Sequence, residues 1–517
     1  MKTDCRLKKE LILISGDNKK YIQDFEFVFD DLRVVSRVDI GELIDMREQI
    51  GNERVYIICD PVANQLKEEI IKTYPEITDM IYYAEDFFYL LDEELDFSYW
   101  AGERKIAFYG EDYAAKLEES CGHPDIILSD ASELNRINKE KYYIIIAKYD
   151  FDKAIMELEE AGFKVGTDFM DGILFCGPKY SDMMKRTYLA TPVAQVPCRI
   201  PYHDMIIAAD FHVYPCCPSG ILPEWGDSRR VYFFGLSELW HSMWWKIMRL
   251  SMANFTYCFC DWHFCSRLKT IADKTDERLY NLEVCQVPSC IQVELDYTCN
   301  LHCPSCRKEV RVASPERKRL LDKLEPDVIS LLDKAEWVRL AGMGDVIASP
   351  FYQRLLYADK KRQKLFLITN GVLLTEDKFD PLPKIYDYIE LYISIDAATK
   401  ETYNKLRPGG NWEKLMDNLE MLAEKNRQGL LKRFRLQFVV QMDNYKEIPD
   451  FVRMGQRLGV SDCYFNSIRN WGFPEEEYEK KNILNPDLSI KPEVLEYLNC
   501  KEIVEAPKGF VVIDFVK

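Results

Sequence analysis

At 517 residues and 47% hydrophobic content, the chain is long enough for two to four domains with substantial cores. A formal net charge of -18 argues against any general attraction to nucleic acid or to an anionic membrane surface. LILIS is too short for a signal segment, and no apolar run reaches the roughly 18 residues of a membrane-spanning helix. A cytoplasmic chain without membrane insertion is therefore expected.

In chain order, LILISG, VYIICD, KIAFYG, DIILSD and YYIIIA are short apolar runs separated by helix-like stretches such as NQLKEEIIKTY. That alternation predicts parallel sheets flanked by helices, a Rossmann-like α/β region in two similar halves over residues 1–98 and 99–189. The second half is a candidate for recognising a substrate or a partner. Gly110 in FYGEDYAAKLEE stands where a strand passes to a helix, a place where a phosphate could approach backbone amides. A dinucleotide site needs further glycines for close backbone approach, so an ordinary turn is expected there.

Composition changes over residues 190–290, which hold Cys198, Cys216, Cys217, Cys258, Cys260, Cys265, Cys285 and Cys290. Thiols at this density point to metal, either one or two iron-sulfur clusters or a zinc site shared with His212, His241 or His263. Trp240, Trp244 and Trp245 in LSELWHSMWWKIMRL form first of all a packing face. The scattered Cys5, Cys59, Cys121, Cys176, Cys463 and Cys500 are expected to serve mostly as small buried apolar groups.

The next stretch, IQVELDYTCNLHCPSCRKE, sets Cys299, Cys303 and Cys306 at C-x3-C-x2-C spacing directly behind a strand-like run. Three thiolates on one loop can hold three irons of a four-iron cube and leave the fourth open to a small molecule. A zinc site, or a cluster completed by a distant cysteine, is the alternative. Strands are then expected at 291–296, 337–342, 364–369, 389–395, 433–440 and 462–467, with helices such as NWEKLMDNLEMLAEK between them. Residues 476–517 read as a tail of helix and strand.

Together the cysteine loop, the WVRLAGMGD turn, LFLITNG, YISIDAATKETYNKLRPGG and FRLQFVVQMDNYKEI resemble the radical S-adenosylmethionine enzymes. The 190–290 interval resembles their SPASM-type auxiliary-cluster module, with three departures. Phe211 fills a usually glycine-like turn, Cys258 and Cys260 are closely spaced, and the module precedes the barrel. The resemblance implies a partial (β/α)6 TIM-like barrel over 291–475 that binds one catalytic 4Fe-4S cluster and S-adenosylmethionine. Such an enzyme cleaves its cofactor reductively to a 5'-deoxyadenosyl radical, which abstracts hydrogen from a substrate.

By the same resemblance, Gly342, Met343, Gly344 and Asp345 are candidates for the methionine portion of the cofactor, and Ser394 for its ribose. Asp396 would organise the site, while Asn370 and Gln441 would face the cofactor and Arg407 would orient a loop or a carboxylate. Ser394 and Asp396 read equally well as a strand end and a helix cap. The implied partners are an electron donor such as flavodoxin or ferredoxin and a peptide or protein undergoing oxidation or crosslinking. Radical oxidation or epimerisation of a small molecule or sugar derivative is the alternative activity, and a noncatalytic iron-sulfur scaffold is the alternative class.

Overall fold

The computed structural model describes residues 9–16, 20–29, 33–46, 50–60, 63–84, 100–191, 193, 197–222, 229–261, 265, 282–307, 309–358, 362–471 and 473–515. Its strands form three sheets. The first contains β1 (Glu10–Ser15), β2 (Val34–Asp39), β3 (Arg54–Ile58) and β4 (Ile81–Tyr83), all parallel in the order β2-β1-β3-β4. In β1 every second side chain feeds a different core. Leu11 and Leu13 join the main core, while Ile12 and Ile14 pack with Leu66 and Ile70 of helix Ala63–Thr73. A strand covered on both faces needs such an unbroken apolar run.

The second sheet repeats this plan with β5 (Lys105–Tyr109), β6 (Ile126–Leu128), β7 (Tyr142–Ile146) and β8 (Phe169–Asp171) in the order β6-β5-β7-β8. Gly110 closes β5 at φ +100°, and a Cβ there would lie 2.3 Å from Lys148 Cγ, so the turn itself requires glycine.

The third sheet has nine strands: β9 (Asp204–Ile207), β10 (Val213–Tyr214), β11 (Cys290–Val293), β12 (Trp337–Leu340), β13 (Arg362–Thr369), β14 (Tyr386–Ser394), β15 (Arg433–Val440), β16 (Asp462–Ser467) and β17 (Val511–Asp514). Its order is β10-β9-β11-β12-β13-β14-β15-β16-β17, parallel throughout except for the β9–β10 hairpin. The six strands expected between 291 and 467 are all present, from β11 to β16. At either side the sheet reaches further than the sequence indicated. The cysteine-rich interval adds β9 directly beside β11, and the tail adds β17 beside β16.

Helices join the sheets into one body. Helix Lys20–Val28 packs on helix Met243–Ala253, whose Trp244 and Trp245 are buried, and Trp240 is buried beside them. The tryptophans are thus packing groups, as expected. Helix Phe151–Glu160 lies against helix Pro315–Leu332, where Arg317 pairs with Asp152 and Arg319 with Glu159. Among the described residues no helix is long and apolar enough to cross a membrane.

Candidate active site

The cysteine loop leaves β11 and is fixed at its root by buried polar groups. Asp296 accepts hydrogen bonds from the Thr298 amide (3.0 Å) and hydroxyl (2.8 Å) and from the Ser349 hydroxyl. Thr298 Oγ1 accepts from the Ala313 amide at 3.0 Å, and the Cys299 amide donates to the Arg311 carbonyl at 3.0 Å. The loop is therefore held along both margins. The Cys306 amide donates to the Cys303 carbonyl at 2.9 Å, curling the segment so that both cysteines border the same space.

The Gly342–Asp345 turn closes against this loop. A Cβ on Gly344 would stand 2.6 Å from the Asp296 and Thr298 carbonyl oxygens, and Gly342 lies at φ +124° with no room beside Glu294. Only glycines allow that approach. Arg307, which the sequence reading missed, ties the two pieces together. Its guanidinium donates to the Tyr297 carbonyl (2.9 Å), the Cys306 sulfur (3.3 Å) and the Met343 carbonyl.

A cavity of about 390 Å³ lies at the carboxyl ends of the strands, where open parallel sheets usually take ligands. Cys299, Cys303 and Cys306 line it together with Gly342, Met343, Gly344, Asp345, Asn370, Ser394 and Asp396. Gln441 is the exception among the expected cofactor-facing residues. It is buried outside the cavity wall, and its amide donates to Asn444 Oδ1 at 2.8 Å, which fixes the turn after β15. Arg469 and Trp471 also border the cavity. Neither was foreseen, because a lone arginine or tryptophan beyond a strand end carries no periodic signal.

The polar groups here are already committed. The Asp345 carboxylate accepts from the Ile347 and Ala348 amides, the Thr369 hydroxyl and the Asn370 amide, at 2.8–3.2 Å. Burial nevertheless pushes its carboxyl up. With four donors satisfied, that side chain braces the turn, and the backbone of Gly342–Gly344 is the part of the turn left to face the cavity. Asn370 Nδ2 donates to Asn300 Oδ1 at 2.9 Å, and Ser394 Oγ donates to Gln437 Oε1 at 3.0 Å.

Asp396 sits at φ +62°, a conformation that is strained for a side-chain-bearing residue. Its carboxylate holds Arg407 through Nε (3.0 Å) and Nη2 (2.6 Å) and accepts the Val439 amide at 2.8 Å. Burial alone would lower the Arg407 pKa, but Asp396, Cys303 and Tyr403 outweigh it and the net direction is up. A permanent cation therefore stands near Cys303. Burial still pushes the Cys303 thiol up to about 11, and Cys299 moves in the same direction for the same reason.

Among the described residues no three His, Cys, Asp or Glu side chains already stand together as a metal cage. The three cysteines share a wall and not yet a point. Their chemistry fits an iron-sulfur cluster all the same: three half-buried thiols on one braced loop face a cavity with room for a ligand. Thiols that hold their protons in isolation give them up when positive metal arrives.

A second cavity, of about 310 Å³, is lined by Cys198, Cys216, Cys217, Cys260, Cys265 and Cys290. Burial and the neighbouring Cys216 and Cys198 push the Cys260 thiol upward, as expected where several sulfurs crowd one space. This donor set also suits a cluster. Two of the eight expected cysteines face elsewhere. Cys258 pairs with the Thr256 and Ser251 side chains, and Cys285 Sγ lies 3.4 Å from His203 Nδ1.

The histidines weighed for zinc do not line either cysteine cavity. His212 lies 3.1 Å from Asp210, and His241 Nε2 lies 2.9 Å from the Gln286 carbonyl, while His263 falls outside the described residues. Phe211 does take the glycine-like conformation expected of its position, with φ +66° and its ring beneath Arg317 at 3.9 Å. Cys59 and Cys463 are buried as expected, while Cys176 and Cys500 are half-buried. Cys5 and the side chain of Cys121 lie outside the described residues.

Residues 293–454 match the model of the Radical SAM superfamily. Mycofactocin maturase MftC of Mycobacterium tuberculosis is 26% identical over 176 residues, which cover 34% of this chain and 43% of that one. The antilisterial bacteriocin subtilosin biosynthesis protein AlbA of Bacillus subtilis is 24% identical over 183 residues, covering 35% and 39%. The chain thus spans less than half the length of these curated relatives. Among solved structures, SuiB of Streptococcus suis bound to precursor peptide SuiA aligns at 16% identity and TM-score 0.30, covering 44% of this chain and 49% of that one.

Proposed function

We propose, because residues 293–454 match the model of the Radical SAM superfamily, that this chain is a radical enzyme acting on a peptide or protein substrate, by oxidation or crosslinking. One observation carries the reading. Three cysteines on a braced loop and the glycine turn opposite them line a single cavity at the carboxyl edge of a parallel sheet. The substrate class is supported by the relatives named as a maturase and as a bacteriocin biosynthesis protein.

In this reading Cys299, Cys303 and Cys306 hold a 4Fe-4S cluster. When bound, the cluster would supply one electron, received from an external donor, for reductive cleavage of the sulfonium carbon-sulfur bond of S-adenosylmethionine, the chemistry that would start hydrogen abstraction from the substrate. The chain's own groups position and protect. The Gly342–Asp345 backbone receives the methionine portion, Asn370 and Ser394 border the nucleoside side, and Asp396 fixes Arg407 beside Cys303. Proximity within the cavity would then decide which substrate bond is attacked.

The domain plan that goes with it keeps an α/β half at 1–98, a second α/β half for substrate or partner recognition at 99–189, the cysteine module at 190–290, a partial (β/α)6 barrel at 291–475 and the tail at 476–517. Auxiliary clusters, one or two in number, would draw on Cys198, Cys216, Cys217, Cys260, Cys265 and Cys290. A flavodoxin- or ferredoxin-type protein would supply electrons.

The test is anaerobic iron and sulfide quantification on the intact chain and on a Cys299→Ala, Cys303→Ala, Cys306→Ala triple variant. Loss of about four irons and four sulfides is expected, together with loss of 5'-deoxyadenosine formation. An unchanged metal inventory would overturn the proposal.

A further inference from the structure

The two cysteine-lined cavities have one residue in common. Arg469, two positions beyond β16, borders the cavity of Cys299, Cys303 and Cys306 and also the cavity of Cys198, Cys216, Cys217, Cys260, Cys265 and Cys290. Among the described residues every other lining side chain belongs to one cavity alone. The two cavities meet at this residue. Its charge is permanent, and although burial raises the Tyr464 and Tyr478 hydroxyls overall, Arg469 offsets a small part of that rise at both.

Each site has other cations of its own. Arg307 and Arg407 border only the first cavity, and Arg339 borders only the second, where it also pairs with Asp204 at 3.4 Å. A thiolate-ligated cluster becomes more negative on reduction, so a fixed cation close by favours the reduced form. The effect fades with distance, and cluster potentials follow net local charge and hydrogen bonding to sulfur. Arg307 and Arg339 can each serve one site. Arg469 is placed to serve both.

We propose that Arg469 is a shared electrostatic positioning residue that raises the reduction potentials of the catalytic and the auxiliary iron-sulfur sites together. This rests on the cluster reading given above. One side chain then keeps the two potentials in step, which two independent cations would not do.

The experiment is a redox titration of the full chain, reconstituted anaerobically with iron and sulfide and followed by electron paramagnetic resonance. Wild type, Arg469→Met, Arg469→Gln, Arg469→Lys and Arg339→Met are compared. Arg469→Met and Arg469→Gln are expected to move both midpoint potentials in the negative direction, with Arg469→Lys restoring most of the shift. Arg339→Met is expected to move only the auxiliary signal.

If one neutral variant loses iron, the other carries the comparison. Wild-type iron content with only one potential moved, or neither, overturns the proposal. So does loss of iron in both neutral variants while Arg469→Lys keeps wild-type iron and shows shifted potentials, because the residue's part would then be structural. Absence of any iron-sulfur signal in the wild-type chain overturns the cluster reading itself, and the proposal with it.

Discussion

Asp345 and Cys303 show how differently single residues serve this site. Asp345 is buried and satisfied by four donors, so Asp345→Ala removes the acceptor of all four. A loss of about 3–5 kcal/mol is expected, the scale of unpairing a buried charged group, measurable by urea denaturation. Gly344→Ala should abolish iron loading, because its new methyl group would meet two carbonyl oxygens at 2.6 Å. Cys303 is held protonated by burial, with its pKa pushed up to about 11. In the metal-free chain it should resist iodoacetamide at pH 8 and react progressively faster as pH rises toward 11, as read by peptide mass spectrometry. The sign follows from the thiolate being both the nucleophile and the scarce form.

At the scale of elements, the decisive contacts are those that join helices to the cysteine loop. Arg317 lies on the helix following the loop and reaches Asp152, the Ala209 and Leu295 carbonyls and the Phe211 ring. Arg317→Met leaves these acceptors unpaired, and about 3–5 kcal/mol of destabilisation is expected in a denaturant titration. Arg317→Lys should recover little, because a single ammonium cannot replace the planar fork.

Much of this level was legible in the sequence. The strands from β11 to β16 are written as apolar runs such as LFLIT and LYIS, and the cysteine loop as a spacing. The pairing of β9 with β11 was not, because those strands lie more than 80 residues apart and register leaves no local trace. Nor could spacing divide the eight cysteines. It counts thiols but does not say that Cys285 turns toward His203 while Cys290 faces the cavity. Arg307 and Arg469 were equally hidden, since each acts through a reach that only the folded backbone defines.

For the whole molecule, the nine-stranded sheet is the organising part, and β17 covers what would otherwise be its β16 edge. Deleting residues 507–517 should expose that edge and produce soluble aggregates detectable by light scattering, even if the catalytic cavity is untouched.

The same sheet also behaves as a stiff mechanical frame. β9 abuts the cavity of the auxiliary cysteines, and its neighbour β11 launches the loop of Cys299, Cys303 and Cys306, one strand spacing of about 4.8 Å away. Sliding β9 by one residue would turn its whole inward face outward, so small slips are forbidden and only rupture remains. The spacing of the two strands from which these sites are built is therefore a built-in ruler, and the sulfur-bearing loops extend from its two fixed marks.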